Sequence, residues 1–382
     1  MFMVVEIIGD EFGPELVLEV NDHSTGLQGF LVIDNTARGT GKGGIRMTPT
    51  VTPTEVARLA RAMTWKTAIA DLPLGGAKSG IRADPKSLNR EQKLGLIREF
   101  ARALKPYVPK KYVAAPDIAT GQEEMRAFAE AAGSWKACTG KPIDFVTGKG
   151  KKAGIPHEIG STGFGVAYSA SVAASFAGIA ISGATVAVEG FGNVGSFAAV
   201  KLEAMGAKIV AASDSVGGIY NPSGIQTKEL VTLKSKGKSV TDASEGKRIA
   251  HGELFELPVD ILIPAAMPDV ITEENAPRIK AKLLVEGSNI PSSQGAERIL
   301  HDRGVLVVPD IVANAGGVIS SYGELKGLSI QEALNLVEQK VSKSTRAVLE
   351  RATSSNLLPR EAAMAIAKER VLDAMARRGT VF

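Results

Sequence analysis

The six residues Gly190-Phe191-Gly192-Asn193-Val194-Gly195 constrain this chain more than any other stretch. They follow directly on the β-branched run Ala184-Thr185-Val186-Ala187-Val188 and open a helical stretch running towards Met205, the strand, turn and helix order of a dinucleotide-binding βαβ unit. The glycines allow a tight turn and close backbone approach, so the amides and positive end of the helix can meet a pyrophosphate. The next run, Lys208-Ile209-Val210-Ala211-Ala212, leads to Ser213-Asp214, nineteen residues after Gly195, where a carboxylate is placed to accept hydrogen bonds from ribose hydroxyls. Asp214 disfavours a 2′-phosphate by repulsion, but Ser213, Ser215 or a main-chain amide can still hold one, so NAD and NADP both stay open. A glycine turn that merely closes a βα corner is the plain alternative, and the flanking strand and acid weigh against it.

Similar apolar runs recur at Val259-Asp260-Ile261-Leu262-Ile263, Lys282-Leu283-Leu284-Val285 and Val305-Leu306-Val307-Val308, with helical stretches between them. Strands that are apolar throughout rather than alternating are covered on both faces, which predicts a doubly wound, Rossmann-type α/β domain over 155–325. Ala265 and Ala266, just past the run Val259 to Ile263, join the glycine turn, Asp214 and Ser215 as cofactor-binding candidates. Residues 1–154 mix strand-like runs such as Gly29-Phe30-Leu31-Val32-Ile33 with helical ones such as Glu91 to Leu104 and read as a separate α/β domain for substrate binding and oligomerisation. The end, 326–382, is helical from Ile330 to Arg378 and is expected to pack back on the first domain, leaving a cleft between the two.

With 382 residues, 44% hydrophobic and 23% charged, the chain can bury two cores and has the balance of a soluble globular protein. The single Cys138 excludes an intrachain disulfide, and His23, His157, His251 and His301 lack metal-ligand spacing, so no metal is expected. A net charge of +4 is small for this length, and the basic stretch Gly148-Lys149-Gly150-Lys151-Lys152 lacks interleaved aromatics, so it reads as a solvated loop rather than a nucleic-acid site. The apolar run from Met1 to Ile8 is interrupted by Glu6 and has no basic flank, so it resembles a first strand rather than a signal peptide. No run reaches membrane-spanning length, and a cytoplasmic location is expected.

Three lysines stand out in the first half. Pro53 and Glu55 announce a helix starting near Thr54, whose buried stripe should be Val56, Leu59, Ala60 and Met63. Lys66 falls three residues after Met63 on that apolar side, where a lysine is costly unless its stem carries the ammonium out to solvent. Lys42 and Lys78 sit in the glycine-rich settings Gly41-Lys42-Gly43-Gly44-Ile45-Arg46 and Leu72-Pro73-Leu74-Gly75-Gly76-Ala77-Lys78-Ser79-Gly80. A solvated side chain is the plain reading of any one lysine. Together they suit an acidic amino acid, which needs cations for two carboxylates and a base near its amino group, because repulsion and burial can leave one amine neutral. Asp117, in Ala115-Pro116-Asp117-Ile118-Ala119-Thr120, is placed to shuttle protons, or simply to cap a turn.

These residues resemble the glutamate/leucine/phenylalanine/valine dehydrogenase family from about Thr25 to Glu324. The likeness rests on Lys42-Gly43-Gly44-Ile45-Arg46, Met63-Thr64-Trp65-Lys66, Leu72 to Lys78, Ala115-Pro116-Asp117, Thr139-Gly140-Lys141-Pro142, Glu286-Gly287-Ser288-Asn289 and Asn314-Ala315-Gly316-Gly317-Val318, in the family's order and approximate spacing. The resemblance implies reversible oxidative deamination with NAD or NADP in the interdomain cleft of a homo-oligomer, expected to be a hexamer. By the same likeness Lys66 binds the substrate α-carboxylate, Lys78 is the catalytic amine that activates water, and Asp117 is its proton-transfer partner. Glutamate-specific members carry a lysine where Lys42 stands and a serine where Ser321 stands, so L-glutamate, 2-oxoglutarate and ammonia are the implied substrates. Gly43, Gly44 and Asn314 complete the substrate set. Thr162 matches the threonine near the nicotinamide, and Asn289 and Asn314 line the cofactor side. Two other readings stay open: a leucine, valine or phenylalanine enzyme, towards which His23-Ser24-Thr25-Gly26-Leu27 and Asn35-Thr36 lean, and a catalytically silent nucleotide-binding regulator, against which Lys78 and Asp117 argue.

Overall fold

The computed structural model describes residues 7, 9–147, 150 and 154–379. The initial apolar run apart from Ile7, and Gly148, Lys149, Lys151 and Lys152 of the basic stretch, lie outside the described residues. The chain forms two units, Met1–Ile159 with Val318–Ala333 and Ala367–Phe382, and Gly160–Gly317 with Leu334–Ile366.

In the first unit, strands β1 (Leu16–Asp22), β2 (Leu27–Asn35), β3 (Gly41–Thr48), β4 (Gly75–Arg82) and β5 (Tyr112–Pro116) form one mixed sheet in the order β1-β2-β4-β3-β5. β2 is antiparallel to β1 and β4, whereas β3 runs parallel to β4 and β5. Strand periodicity sends Leu31 and Ile33 to one face, into a core with Ile45, Phe100, Tyr112 and Phe128, and Phe30 and Val32 to the other, against Val56 and Ala60. The first of those faces is covered by helices α2 (Arg90–Ala103) and α3 (Gln122–Ala132), the second by α1 (Pro53–Ile69). Thr52 caps α1 by accepting from the Glu55 amide, and Pro53 occupies the first turn, where its missing N–H costs nothing.

The buried stripe of α1 differs from the expected one. Val56 and Ala60 are buried, but Thr64, Thr67 and Ala68 continue the stripe while Leu59 and Met63 are only half-buried. Polar residues can face the sheet because their hydroxyls are satisfied: Thr64 donates to Asp34 and Thr67 donates to the Met63 carbonyl.

The second unit begins with α4 (Ser161–Phe176) and continues through β6 (Thr185–Glu189), α5 (Asn193–Ala204), β7 (Lys208–Ser213), β8 (Gly218–Tyr220), α6 (Thr227–Ser235) and β9 (Lys247–Ile249). It goes on with β10 (Ile261–Pro264), β11 (Leu283–Val285), α7 (Gln294–Asp302), β12 (Leu306–Val308) and the short α8 (Asp310–Ala313). The sheet order is β12-β11-β10-β6-β7-β8-β9, parallel from β12 to β7 and antiparallel at β8 and β9. This is the expected doubly wound fold, with the winding reversing between β6 and β10.

Helices α9 (Gly316–Lys326), α10 (Ile330–Ser355) and α11 (Pro359–Arg377) follow. The stretch 326–382, expected to pack wholly on the first domain, is shared, with residues 334–366 belonging to the second unit. The reason is chemical: Thr345 hydrogen-bonds Ser169 of α4 at 3.0 Å, and Arg360 is held by Glu286, Glu297 and Asp310. Among the described residues no helix is long and apolar enough to cross a membrane.

Candidate active site

β3 lies between β4 and β5, in register Lys42↔Gly76 on one side and Lys42↔Val113 and Gly44↔Ala115 on the other. A Cβ at Gly44 would stand 2.7 Å from the Asp117 Cβ and 2.8 Å from the Pro116 oxygen, so only glycine lets Asp117 lie against this strand. Asp117 leaves β5 in a turn pinned by Thr120, whose hydroxyl accepts from the Asp117 amide at 2.9 Å and donates to the Ile45 carbonyl at 2.8 Å. Lys78, on β4, brings its Nζ to 2.9 Å from Asp117 Oδ2. Arg46 Nε donates to the same oxygen at 3.0 Å, while its Nη1 reaches Glu55 Oε1 at 2.7 Å. Burial pushes the Asp117 carboxyl up, but the Lys78 and Arg46 cations outweigh it and hold the group below the usual aspartate range.

Lys42 is 1% exposed, and its Nζ donates to the Ala114 carbonyl at 3.1 Å. Burial pushes this amine down to about 7; Glu324 opposes that, and Lys141 and Lys78 add to it. Lys141 and Glu324, both fully buried, form an ion pair at 2.5 Å, and Glu324 Oε2 also accepts from the Gly140 amide at 2.7 Å. Ser321 is buried on α9, three residues before Glu324 and therefore on the same side of that helix. Lys66 occupies the last turn of α1, half-buried, in the unit that also contains Lys42, Lys78, Asp117, Gly43 and Ser321. The first unit thus gathers Lys42, Gly43, Gly44 and Lys78 on the adjacent strands β3 and β4, and Asp117 on the turn that follows β5.

The second unit holds the remaining candidates. Gly190 has φ 87°, and a Cβ there would come within 2.5 Å of the Ala266 Cβ, so the β6 turn and the end of β10 touch backbone to backbone at the point where the winding reverses. The Gly190 and Phe191 amides are already donated to the Ser213 carbonyl at 3.1 and 2.7 Å, and the Phe191 side chain is buried. Gly192 and Asn193 are exposed and Val194 half-buried at the start of α5, whose N-cap Gly192 offers no side-chain cap. That cradle fits a dinucleotide pyrophosphate.

Asp214 departs from the expected picture. Its carboxylate is already occupied: Oδ1 accepts from the Val216 amide at 3.0 Å and the Ser239 hydroxyl at 2.9 Å, and Oδ2 from Lys234 Nζ at 2.8 Å and the Val240 amide at 3.0 Å. Burial raises its pKa, but these donors prevail and hold it at about 2. Ser215 beside it is exposed. Asn314 belongs with the cofactor candidates of this unit, donating to the Ser288 carbonyl at 3.1 Å and to Asn289 Oδ1 at 3.0 Å. Thr162 sits half-buried in the first turn of α4, where a Cβ on Gly316 would stand 3.1 Å from its Cα.

Family models cover both units: Glu/Leu/Phe/Val dehydrogenase, dimerisation domain, over residues 14–133, and Glutamate/Leucine/Phenylalanine/Valine dehydrogenase over 153–379. The chain belongs to this family. Its relatives include a glutamate dehydrogenase of Aeropyrum pernix, 44% identical over 366 residues that span 91% of this chain and 85% of the other. An NADP-specific glutamate dehydrogenase of Saccharolobus shibatae is 39% identical, spanning 96% of this chain and 90% of the other. Among solved structures, the hetero-hexameric glutamate dehydrogenase of Thermus thermophilus in a leucine-bound form superposes with a TM-score of 0.82 at 31% identity, covering 97% of this chain and 91% of that one.

Lys141 and Arg46 lie inside the quoted motifs but drew no role, because nothing local says that their partners come from α9 and α1. Glu324 carried a signal, its three-residue spacing from Ser321.

Proposed function

We propose that this chain catalyses the reversible oxidative deamination of L-glutamate, in which glutamate, water and NAD(P)⁺ give 2-oxoglutarate, ammonium, NAD(P)H and a proton. The observation that carries this reading is the buried amine of Lys42 beside the Lys78–Asp117 pair, on a dehydrogenase fold. A cation removed from water is costly unless an anion meets it, and a side-chain carboxylate supplies one. Lys42 and Ser321 hold the γ-carboxylate in this reading, and Lys66 holds the α-carboxylate.

The coenzyme, when bound, accepts the hydride from the α-carbon. Lys78 activates water for attack on the resulting imine, and the proton passes between its Nζ and Asp117 Oδ2, 2.9 Å away. Both cations on Asp117 use Oδ2, which leaves Oδ1 to receive the substrate ammonium. The α5 mouth, Thr162, Asn289 and Asn314 orient the coenzyme. NADP is the coenzyme favoured in this reading, because Lys234 pairs with Asp214 and offsets its charge, and Ser215, next in sequence, is exposed. The Saccharolobus relative's designation as NADP-specific supports this. The hetero-hexamer named for the Thermus relative supports a six-subunit assembly here, which in this reading is a homohexamer of the cytoplasm, with its mass read by light scattering.

The test is a panel of amino acids, glutamate, leucine, valine, phenylalanine and norvaline, assayed for NADPH and NADH formation with the wild type and with Lys78→Ala. Glutamate with NADP⁺ should lead, and Lys78→Ala should bind coenzyme but not turn over. Near-normal turnover in that variant would remove Lys78 from the chemistry, and a faster reaction with leucine or phenylalanine would move the chain to another branch of the family.

A further inference from the structure

Two neighbouring strands, the segment after α3 and one helix bring groups around the buried Lys42, and these groups are unequal in charge. Lys78 comes from β4, Tyr112 from β5, Cys138 and Lys141 from the segment after α3, and Glu324 from α9. Cys138 and Tyr112 are kept neutral: burial pushes the thiol up to about 12 and the phenol above its ordinary value, the latter engaged with Ser79 and the Gly43 carbonyl. Lys78 is matched by Asp117. The larger charges acting on Lys42 are therefore the fully buried cation of Lys141 and the fully buried carboxylate of Glu324, with the paired Lys78 adding less.

These two are tied to Lys42 through a single strip of backbone. The Ala114 carbonyl accepts Lys42 Nζ at 3.1 Å and the Thr139 amide at 3.0 Å, and Lys141 Nζ donates to the Cys138 carbonyl next to it. Glu324 closes the strip on the Gly140 amide. Buried away from bulk solvent, charges here act on one another strongly. We propose that the buried Lys141–Glu324 pair governs the charge on Lys42, and through it the selection of dicarboxylic over monocarboxylic amino acids. Neither residue is placed on substrate; both are positioning residues, and the proposal rests on the reading that Lys42 meets the γ-carboxylate.

The consequence is proton uptake. An amine with a pKa of about 7 is half neutral at that pH, so above it each bound γ-carboxylate draws one proton from solvent onto Lys42, and below it none. Dicarboxylate affinity is then flat at low pH and falls about tenfold per pH unit above the break. Removing Glu324 disfavours the proton and favours the carboxylate, so the break moves to lower pH, affinity below it tightens, and the curves converge above it. Removing Lys141 does the opposite.

The experiment is calorimetric titration of glutarate into the full-length enzyme from pH 6 to 9, in two buffers of different ionisation enthalpy, with butyrate as the monocarboxylate control. The wild type should break near pH 7 and take up close to one proton per glutarate at pH 8, while butyrate takes up none. Glu324→Gln should shift the break down and Lys141→Met should shift it up, each by a pH unit or more, and the double variant should return it towards the wild-type position. General structural damage would weaken both single variants alike, so opposite shifts are diagnostic. If both retain the wild-type break, or both move in the same direction, the proposal is overturned. Lys42→Leu separates the two levels: loss of the break in that variant, with unmoved breaks in the others, sinks only this inference, whereas unaltered glutarate binding in Lys42→Leu sinks the γ-carboxylate reading itself.

Discussion

The two units each bury an ion cluster, and the imbalances are opposite in sign. In the first, Lys42 and Lys141 face a single carboxylate, Glu324. In the second, Arg360 alone faces Glu286, Glu297 and Asp310 at 2.6, 2.6 and 2.8 Å. The second cluster settles its excess internally. One guanidinium spreads its donors over three acids, Glu286 and Asp310 accept further bonds from the Asp310 and Ile290 amides, and burial pushes the Glu286 carboxyl up to about 8, so that it can hold a proton. The first cluster does not: among the described residues Lys42 Nζ donates to the Ala114 carbonyl, and burial strips part of its charge instead. A surplus satisfied from within holds a helix to a sheet. A surplus left over is, in the proposed reading, met by the substrate.

That contrast can be broken by experiment, and the largest effect belongs to the first unit. Lys78→Ala should lower turnover by about 10³–10⁴-fold, within the range for a positioned proton-transfer group, while coenzyme affinity measured by nucleotide fluorescence stays unchanged. Next, Arg360→Met should cost about 3–5 kcal/mol in denaturant unfolding, since it strands buried acids without their cation. A loss below about 1 kcal/mol would mean the second cluster is not structural. Lys234→Ala should raise the KM for NADPH roughly tenfold, an interaction of about 1.4 kcal/mol, and leave the KM for NADH little changed. Equal effects on both coenzymes would deny Lys234 a role at the 2′-phosphate.

The smallest effect sharpens the comparison most. Between about 7 and the free-amine value of 10.5, the unfolded chain holds a proton on Lys42 that the folded chain does not, so stability rises with pH across that window. The burial penalty is full below pH 7 and gone above 10.5. Lys42→Leu should therefore raise the thermal midpoint by a few degrees at pH 7, with the gain shrinking as pH climbs to 10. A gain that is constant with pH would mean Lys42 is not desolvated as described.

Legibility followed the range of the contacts. The glycine turn and the apolar strands of the second unit are local patterns, and each strand run read from the sequence lies within a residue or two of β6, β7, β10, β11 or β12. Lys42 and Lys78 stand out because their surroundings are rich in glycine, and Asp117 because it follows a short strand-like run. Lys141 with Glu324, and Arg360 with its three acids, do not, because their partners lie more than 45 residues apart in sequence and no spacing rule connects them. Asp214 shows the remaining limit: its position after β7 was visible, but the capture of both its oxygens by Lys234 and Ser239 depends on α6 and the loop beyond it.

The central claim is that Lys42 is a buried amine kept short of a counter-charge so that a substrate carboxylate can supply it. The direct measurement is the ratio of kcat/KM for glutamate to that for norvaline in the wild type and in Lys42→Leu. The account predicts a fall in that ratio of about 100-fold or more, mostly through glutamate, consistent with an unmatched buried charge costing several kcal/mol. An unchanged ratio would contradict it.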